Sequence, residues 1–380
     1  MKIGFDISQT GNGKAGCGFF TENLIRHLAA LDQQNHYTLY QTFGDHFWDN
    51  DFKQTYAIEK PNFRYGLKHS SHEEAKKFWR DPPASLEKKL GHVDIVHANN
   101  FYCPPKLKQT KLIYTLFDLS FVEYPDCTTD HNRIACFESV FNASLNADYI
   151  IAISEFSRKH FLSIFPHYPA DRIKAVPLAS RFKATHVTAS PSAKLKPLLP
   201  NQFWLSVGTL EPRKNIKHLL QCYAELKEQQ KTYPLVLAGK PGWMKEKIED
   251  TIASLNLQQD VVVLGYVEDE ELQWLYQNCF GFIYPSLFEG FGLPVLEAMT
   301  FGAPIITSHT SSLPEVAGNA GILIDPLLKE DLISAMLQIF HDPALQQQLK
   351  RQSLQQAQLF SWENTAKQVL TIYENVGIKQ

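Results

Sequence analysis

The sequence predicts an α/β protein built from two doubly wound, Rossmann-like domains, and three observations predict it. Short apolar runs rich in β-branched and aromatic residues alternate with longer amphipathic stretches along most of the 380 residues. Many of the short runs are apolar on both faces, as parallel strands covered by helices on each side must be. The alternation breaks once, near residues 177–201, and then restarts, which leaves two halves of similar size.

In the first half, residues 3–7 read as the opening strand and 19–31 as the helix after it. Further strands are expected at 37–41, 94–97, 111–117, 149–153 and 172–176, with helices near 129–145 and 155–165. Residues 185–200 are rich in Thr, Ser, Pro and Lys and read as a linker. The second half then predicts strands at 203–207, 235–238, 261–264, 281–284, 303–307 and 321–324. Its helices are expected at 216–229, 245–255, 269–277, 294–300, 329–341 and 343–358. A last helix follows Ser361, whose hydroxyl suits an N-cap. The expected layout is an N-terminal domain over 1–183, a linker over 184–200, a C-terminal domain over 201–360 and a terminal helix over 361–380. Ligands of such sheets bind beyond the carboxyl ends of the strands, so two facing domains would form a cleft for a small molecule.

Composition removes other classes. Hydrophobic residues make up 44% and charged residues 20%, enough to bury a core in each half and too apolar for global disorder. The net charge of −3 lacks the basic field of a nucleic-acid coat protein. Six cysteines without a C-x-x-C pair point to reduced thiols rather than a zinc ribbon or a disulfide scaffold. The apolar start is short and broken by Asp6, unlike a signal peptide, and no apolar run approaches the roughly 18 residues of a membrane span. The expectation is a soluble, cytoplasmic protein, with room for contact at the inner membrane face.

The densest motif is Tyr284-Pro-Ser-Leu-Phe-Glu-Gly-Phe-Gly-Leu-Pro-Val-Leu-Glu297. A strand ends at Tyr284, a glycine-bearing turn follows, and Pro294 suits the first turn of a helix. Free backbone N–H groups at a helix start make an anion site suited to phosphate. Glu289 in the turn and Glu297 one turn into the helix can each accept from paired hydroxyls, as on a ribose or a hexose. One ligand with hydroxyls at both ends of a phosphate is a nucleotide sugar. A second motif, Val207-Gly-Thr-Leu-Glu-Pro-Arg-Lys-Asn215, also joins a strand to a helix. It places Arg213 and Lys214 at a helix start, where cations are disfavoured unless they meet an anion such as a diphosphate.

These two motifs, with Asp118-Leu-Ser-Phe121, Ser154-Glu-Phe-Ser-Arg158 and Ser311-Ser-Leu-Pro-Glu-Val-Ala-Gly318, make the chain resemble the family 4 retaining glycosyltransferases of the GT-B fold. Within them it is similar to bacterial mannosyltransferases of surface polysaccharide synthesis. The resemblance implies that Glu289 contacts the donor sugar and Glu297 holds the ribose. It implies that the backbone at Phe291, Gly292 and Leu293 meets the phosphates and sugar, that Arg213 and Lys214 neutralise the diphosphate, and that Gly208 belongs to the same donor site. Gly16-Cys-Gly18 matches the glycine loop that closes over the donor. The last helix is expected to cross back to the first domain. Where many relatives carry His-Asp, this chain has Phe117-Asp118, so no role of that histidine carries over, while Asp118 is kept as a catalytic candidate. His97, also at a strand end, reads as structural or acceptor-side.

The expected reaction moves a hexose, favoured as mannose from GDP-mannose over a UDP-sugar, to a glycan or lipid-linked saccharide. Its transition state resembles an oxocarbenium ion, with charge growing on the leaving phosphate beside Arg213, Lys214 and the helix N-terminus at Gly292. The resemblance implies retention by same-face attack, no cofactor beyond the donor and no metal, and no Asp-x-Asp pair is expected beside the diphosphate. A nucleotide-sugar 2-epimerase of the same fold and a non-catalytic nucleotide-sugar-binding subunit are the rival readings.

Two other strings carry less. Gly11-Asn-Gly-Lys-Ala-Gly16 spells G-x-G-x-x-G, but it stands off from the strand and the second strand ends without an acid, so it does not read as a dinucleotide site; a Walker string is absent. Over residues 60–90 eight cations face four carboxylates, with Phe63, Tyr65, Phe78 and Trp79 interleaved. That patch suits peripheral contact with an anionic bilayer, or a solvated surface.

Overall fold

The structure is a computed structural model that describes residues 1–11, 13–44, 55–183, 192–242 and 247–378. The chain divides into two compact units: Met1–Pro125 with Asp130–Ala179 and Ser361–Gln380, and Asp126–Thr129 with Ser180–Phe360.

The first unit carries strands β1 (Lys2–Asp6), β2 (His36–Tyr40), β3 (Phe63–Gly66), β4 (Ile95–Ala98), β5 (Lys111–Leu116), β6 (Tyr149–Ala152) and β7 (Ile173–Ala175). They form one parallel sheet in the order β3-β2-β1-β4-β5-β6-β7. The helices are α1 (Gly16–Leu31), α2 (His72–Arg80), α3 (Leu86–Lys89), α4 (Ser120–Glu123), α5 (Asp130–Asn146) and α6 (Glu155–Ile164). Strands two-faced in their apolarity go to the centre: Ile3, Phe5, Ile95, Val96 and Ile113 are wholly buried. Helix α1 buries Phe20, Leu24, Ile25 and Leu28, a stripe at helical spacing.

The second unit carries β8 (Trp204–Val207), β9 (Leu235–Ala238), β10 (Val261–Gly265), β11 (Gly281–Tyr284), β12 (Ile305–Ser308) and β13 (Gly321–Ile324), parallel in the order β10-β9-β8-β11-β12-β13. Its helices are α7 (Ile216–Gln229), α8 (Ile248–Ser254), α9 (Asp269–Asn278), α10 (Leu293–Thr300), α11 (Leu313–Ala317), α12 (Lys329–His341) and α13 (Pro343–Ala357). The last helix, α14 (Trp362–Ile378), belongs to the first unit and packs on α1. Trp362 meets Phe20 and stacks on His27 there.

Strand order reverses between β1 and β4 in one sheet and between β8 and β11 in the other, and at such a point neighbouring loops diverge and leave a crevice.

Several expectations change. Strand β3 was not anticipated, because its Arg64 sits inside a charged stretch; Phe63 nevertheless stacks on Tyr37 with centroids 4.5 Å apart. Helix α2 lies in the same stretch, capped by Ser71, and buries Ala75 and Trp79. Two of the four aromatics expected on a membrane-facing surface, Phe63 and Trp79, are therefore core residues. Helix α1 begins at Gly16 rather than 19, so Gly16 and Gly18 form its first turn and not a loop. The short α11 was also not anticipated. Residues 184–191 of the expected linker and 245–246 of an expected helix lie outside the described residues, as does Asn12 of the glycine string. The described end of the linker packs into the second unit through Leu195 and Leu198. All six cysteines are free thiols. Among the described residues, no helix is long and apolar enough to cross a membrane.

Candidate functional site

In the second unit the two motifs leave adjacent strands, β8 and β11, at the place where strand order reverses. After β8 the chain passes Gly208, at φ +151°, into a tight turn over Pro212–Lys214, and left-handed Asn215 then starts α7. The loop after β11 is tied to that turn. Leu287 N–H donates to the Arg213 carbonyl at 2.9 Å, Ser286 Oγ lies 3.0 Å from the same oxygen, and Arg213 Nη1 donates to the Phe288 carbonyl at 2.5 Å.

This bracing assembles a charge cluster. Glu289 is buried, and its Oε1 accepts from Lys214 Nζ at 2.6 Å, Ser286 Oγ at 2.6 Å and the Tyr284 hydroxyl at 2.9 Å. Its Oε2 lies 3.1 Å from Arg213 Nη1. Burial alone would raise the Glu289 pKa, but Arg213 and Lys214 outweigh it and hold the carboxyl at about 2. Arg213 Nη2 also donates to buried Glu211 at 2.6 Å. Of the two cations expected to await a diphosphate, Arg213 is thus held between Glu211 and Glu289, and Lys214 is held on Glu289, which aims both at this corner.

Beside the cluster, Gly292 caps α10 at φ +102°, and a Cβ there would stand 2.7 Å from Leu313 Cδ2, so both backbone and space call for glycine. Among the described residues, no acceptor meets the N–H groups of Gly292 and Leu293. Phe291 is buried, with its ring edge-on to Phe360. Glu297, one turn along α10, differs from Glu289. It accepts from the Tyr276 hydroxyl at 3.1 Å and lies 3.0 Å from Arg181 Nε, yet burial outweighs Arg181 and raises its pKa.

Sequence reasoning missed Glu211, Tyr284, Ser286 and Arg181 as parts of this site. The first three stand inside the quoted motifs, where a carboxylate two residues before Arg213 and hydroxyls flanking Glu289 were available signals. Arg181 borders the linker and carries no local signal at all.

In the first unit, Gly16, Gly18 and Asp118 follow β1 and β5. A Cβ at Gly18 would stand 2.1 Å from the Gln9 carbonyl, so this glycine lets α1 pack on the loop after β1; nothing lies within 4 Å of a Cβ at Gly16. Asp118 accepts from the N–H and hydroxyl of Ser120 through one oxygen, a turn-forming arrangement that starts α4. Phe117 is buried between Phe20 and Phe101. His97 is structural: it is fully buried, bonded to the Tyr373 hydroxyl of α14 at 2.6 Å and to Thr115 Oγ1 at 2.9 Å, and burial lowers its pKa to about 3. Thr115 donates to Asn99 Oδ1, and the Asn99 and Ser8 N–H groups donate to Asp6. Burial raises Asp6 to about 7 against those two bonds. This chain of groups at the β1/β4 reversal was not anticipated.

The sequence contains an Asp-x-Asp string, Asp49-Asn-Asp51, which lies outside the described residues. Among the described residues, no group of three or more His, Cys, Asp or Glu could hold a metal ion.

Comparison with known proteins bears on these geometries. The family model for glycosyl transferases group 1 matches residues 192–356, which contain the whole charge cluster. The chain is 33% identical to O-antigen chain mannosyltransferase B of Escherichia coli, over 98% of this chain and 100% of that protein. It is 37% identical to the serotype-specific mannosyltransferase WbdA of E. coli over 62% of this chain and 29% of that longer protein. Among solved structures, sucrose-phosphate synthase of Thermosynechococcus elongatus matches with a TM-score of 0.74 at 21% identity, over 99% of each chain. WaaG, a glycosyltransferase of lipopolysaccharide biosynthesis, matches with a TM-score of 0.71 at 16% identity, over 97% of this chain and 99% of that one. These structural likenesses are of fold: two parallel-sheet α/β domains of the GT-B kind.

Proposed function

Because this chain belongs to the group 1 glycosyl transferases, we propose that it is a retaining mannosyltransferase of surface polysaccharide synthesis, taking mannose from GDP-mannose to a glycan or lipid-linked saccharide. The observation that carries the reading is the joining of Arg213, Lys214 and Glu289 to the open N-terminus of α10 at one strand-order reversal. A diphosphate placed there meets two cations and free N–H groups, the charge that a leaving nucleotide diphosphate requires. The choice of mannose rests on the names of the two E. coli relatives.

In this reading Glu289 contacts the donor sugar, Glu297 the ribose, and the backbone at Phe291, Gly292 and Leu293 the phosphates and sugar. As the glycosidic bond stretches, positive charge grows on the sugar ring and negative charge on the leaving phosphate. Arg213, Lys214 and the α10 N-terminus stabilise the second. The leaving phosphate takes the acceptor proton as the acceptor attacks from the same face, with no metal in the step. Gly16 and Gly18 at the start of α1 contact the donor from the first unit, and Asp118 is a catalytic group of the same unit. Exposed Lys77, Arg80, Lys88 and Lys89 suit contact with an anionic membrane face, where a lipid-linked acceptor is presented.

Thermal stabilisation by GDP, UDP, ADP and dTDP, alone and as sugar conjugates, tests the reading. Ligand at 100 times its dissociation constant adds about 2.7 kcal/mol. A selective shift with GDP and GDP-mannose is expected. A UDP-selective shift discards GDP-mannose but keeps the class, and no shift with any nucleotide removes the donor site.

A further inference from the structure

We propose that a groove on the flank of the N-terminal unit binds a saccharide chain, the non-reacting part of the acceptor; this rests on the glycosyltransferase reading above. The groove lies between the end of α2, the loop after β4 and the length of α5, and encloses about 490 Å³. Small-molecule sites span roughly 300–1,000 Å³.

Its chemistry suits sugars. One wall is α5, which lines the groove with Glu138, Asn142 and Asn146. These recur every fourth residue and so stand in a row about 12 Å long on one helix face. A carboxylate and two amides in line offer donors and acceptors to successive hydroxyls. The other wall holds Arg80, Tyr102 and Trp79, and aromatic rings beside hydrogen-bonding groups suit the mixed polar and apolar faces of a sugar.

Trp79 backs this wall with its side chain buried. The groove also begins at the expected place. Tyr102 N–H donates to Asn100 Oδ1, and Asn100 Nδ2 donates to Ser8 Oγ, so this wall is tied to the loops after β1 and β4 where strand order reverses. An acceptor chain whose end reaches that reversal has a track along α5 for its remainder.

Calorimetric titration of the full chain with mannohexaose and with mannobiose tests this without needing catalysis. The expected result is tighter binding of the longer sugar. Asn142→Trp, at an exposed helix position, should plug the groove and weaken mannohexaose binding about tenfold, the scale of one or two hydrogen bonds. In transfer assays Asn142→Trp should raise KM for the long acceptor and leave kcat unchanged. Equal binding of both sugars, or mannohexaose affinity untouched by Asn142→Trp, overturns the proposal. So does sedimentation with anionic phospholipid vesicles that Asn142→Trp abolishes while sugar affinity stays put, since α5 also exposes Phe137, Phe141 and Leu145. Failure of the enzymatic reading shows separately, as loss of every nucleotide-induced thermal shift.

Discussion

At the reversal of the C-terminal sheet, the loops after β8 and β11 hold Arg213 between two buried carboxylates and Lys214 on one of them. At the corresponding reversal of the N-terminal sheet, the loops after β1 and β4 hold Asp6 at the end of a chain of neutral groups running through Asn99, Thr115 and His97 to Tyr373. The topology is the same and the electrostatics are opposite. In one corner paired charges keep a carboxyl ionised down to about pH 2; in the other, burial drives a carboxyl's pKa up to about 7. The same crevice can thus be made ready for a charged ligand or sealed with hydrogen bonds, and the loop residues decide which.

The largest expected effect breaks the comparison at its charged side. Arg213→Ala or Lys214→Ala should each lower kcat by about 10²–10³, the scale set by removal of one preorganised donor from a developing anion. Steady-state rates with saturating donor check this. A loss confined to KM would mean that the cations bind donor and product alike and do nothing special for the leaving group.

The second test uses pH, with the two carboxyls expected to move in opposite directions. Glu289 is lowered from its usual value, so its stabilisation is full above about pH 4.5 and is lost as pH falls toward about 2. Asp6 is raised, so the folded state keeps a proton that the unfolded state has released, and stability falls as pH rises from about 4 through 7. Melting temperatures from pH 3 to pH 8 should show Glu289→Gln most damaging at neutral pH and least damaging in acid. Asp6→Asn should improve relative to the parent across pH 4–7, on the order of 2–4 kcal/mol. Parallel curves for the two variants would remove the contrast.

The contrast also explains what the sequence made legible. Central strands such as 3–7 and 235–238 are visible because burial on both faces leaves a run of apolar residues. Strand β3 is an edge strand bearing Arg64, and its pattern is diluted by charge. The donor-side cluster was visible because its members fall in two short motifs, each with its own strand, turn and helix start. Partners that meet them from elsewhere were not: Arg181 reaches Glu297 across 116 positions of chain. The N-terminal network has the same defect throughout, since Asp6, Asn99, Thr115 and Tyr373 are common residue types brought together by sheet register and by the docking of α14 on α1.

A smaller effect sharpens the difference between the two glutamates of the motif. Glu297→Ala should weaken donor nucleotide binding about tenfold, as the loss of one or two hydrogen bonds to a ribose would. It should leave the pH dependence assigned to Glu289 in place. Unchanged affinity for the nucleoside diphosphate removes the ribose role.

The smallest effect separates packing from function within the N-terminal unit. Gly18→Ala puts a Cβ 2.1 Å from the Gln9 carbonyl, and backbone must move to admit it, at a cost of about 1–3 kcal/mol. Gly16→Ala meets nothing, and its backbone is not left-handed, so alanine's better helix propensity should make it neutral or stabilising by up to about 1 kcal/mol. If the start of α1 approaches the donor, Gly16→Ala should nonetheless lower transfer activity while its melting temperature holds or rises. A Gly16→Ala enzyme with full activity would instead place both glycines in the service of the helix alone. The donor-closing role would then have to come from other residues after β1.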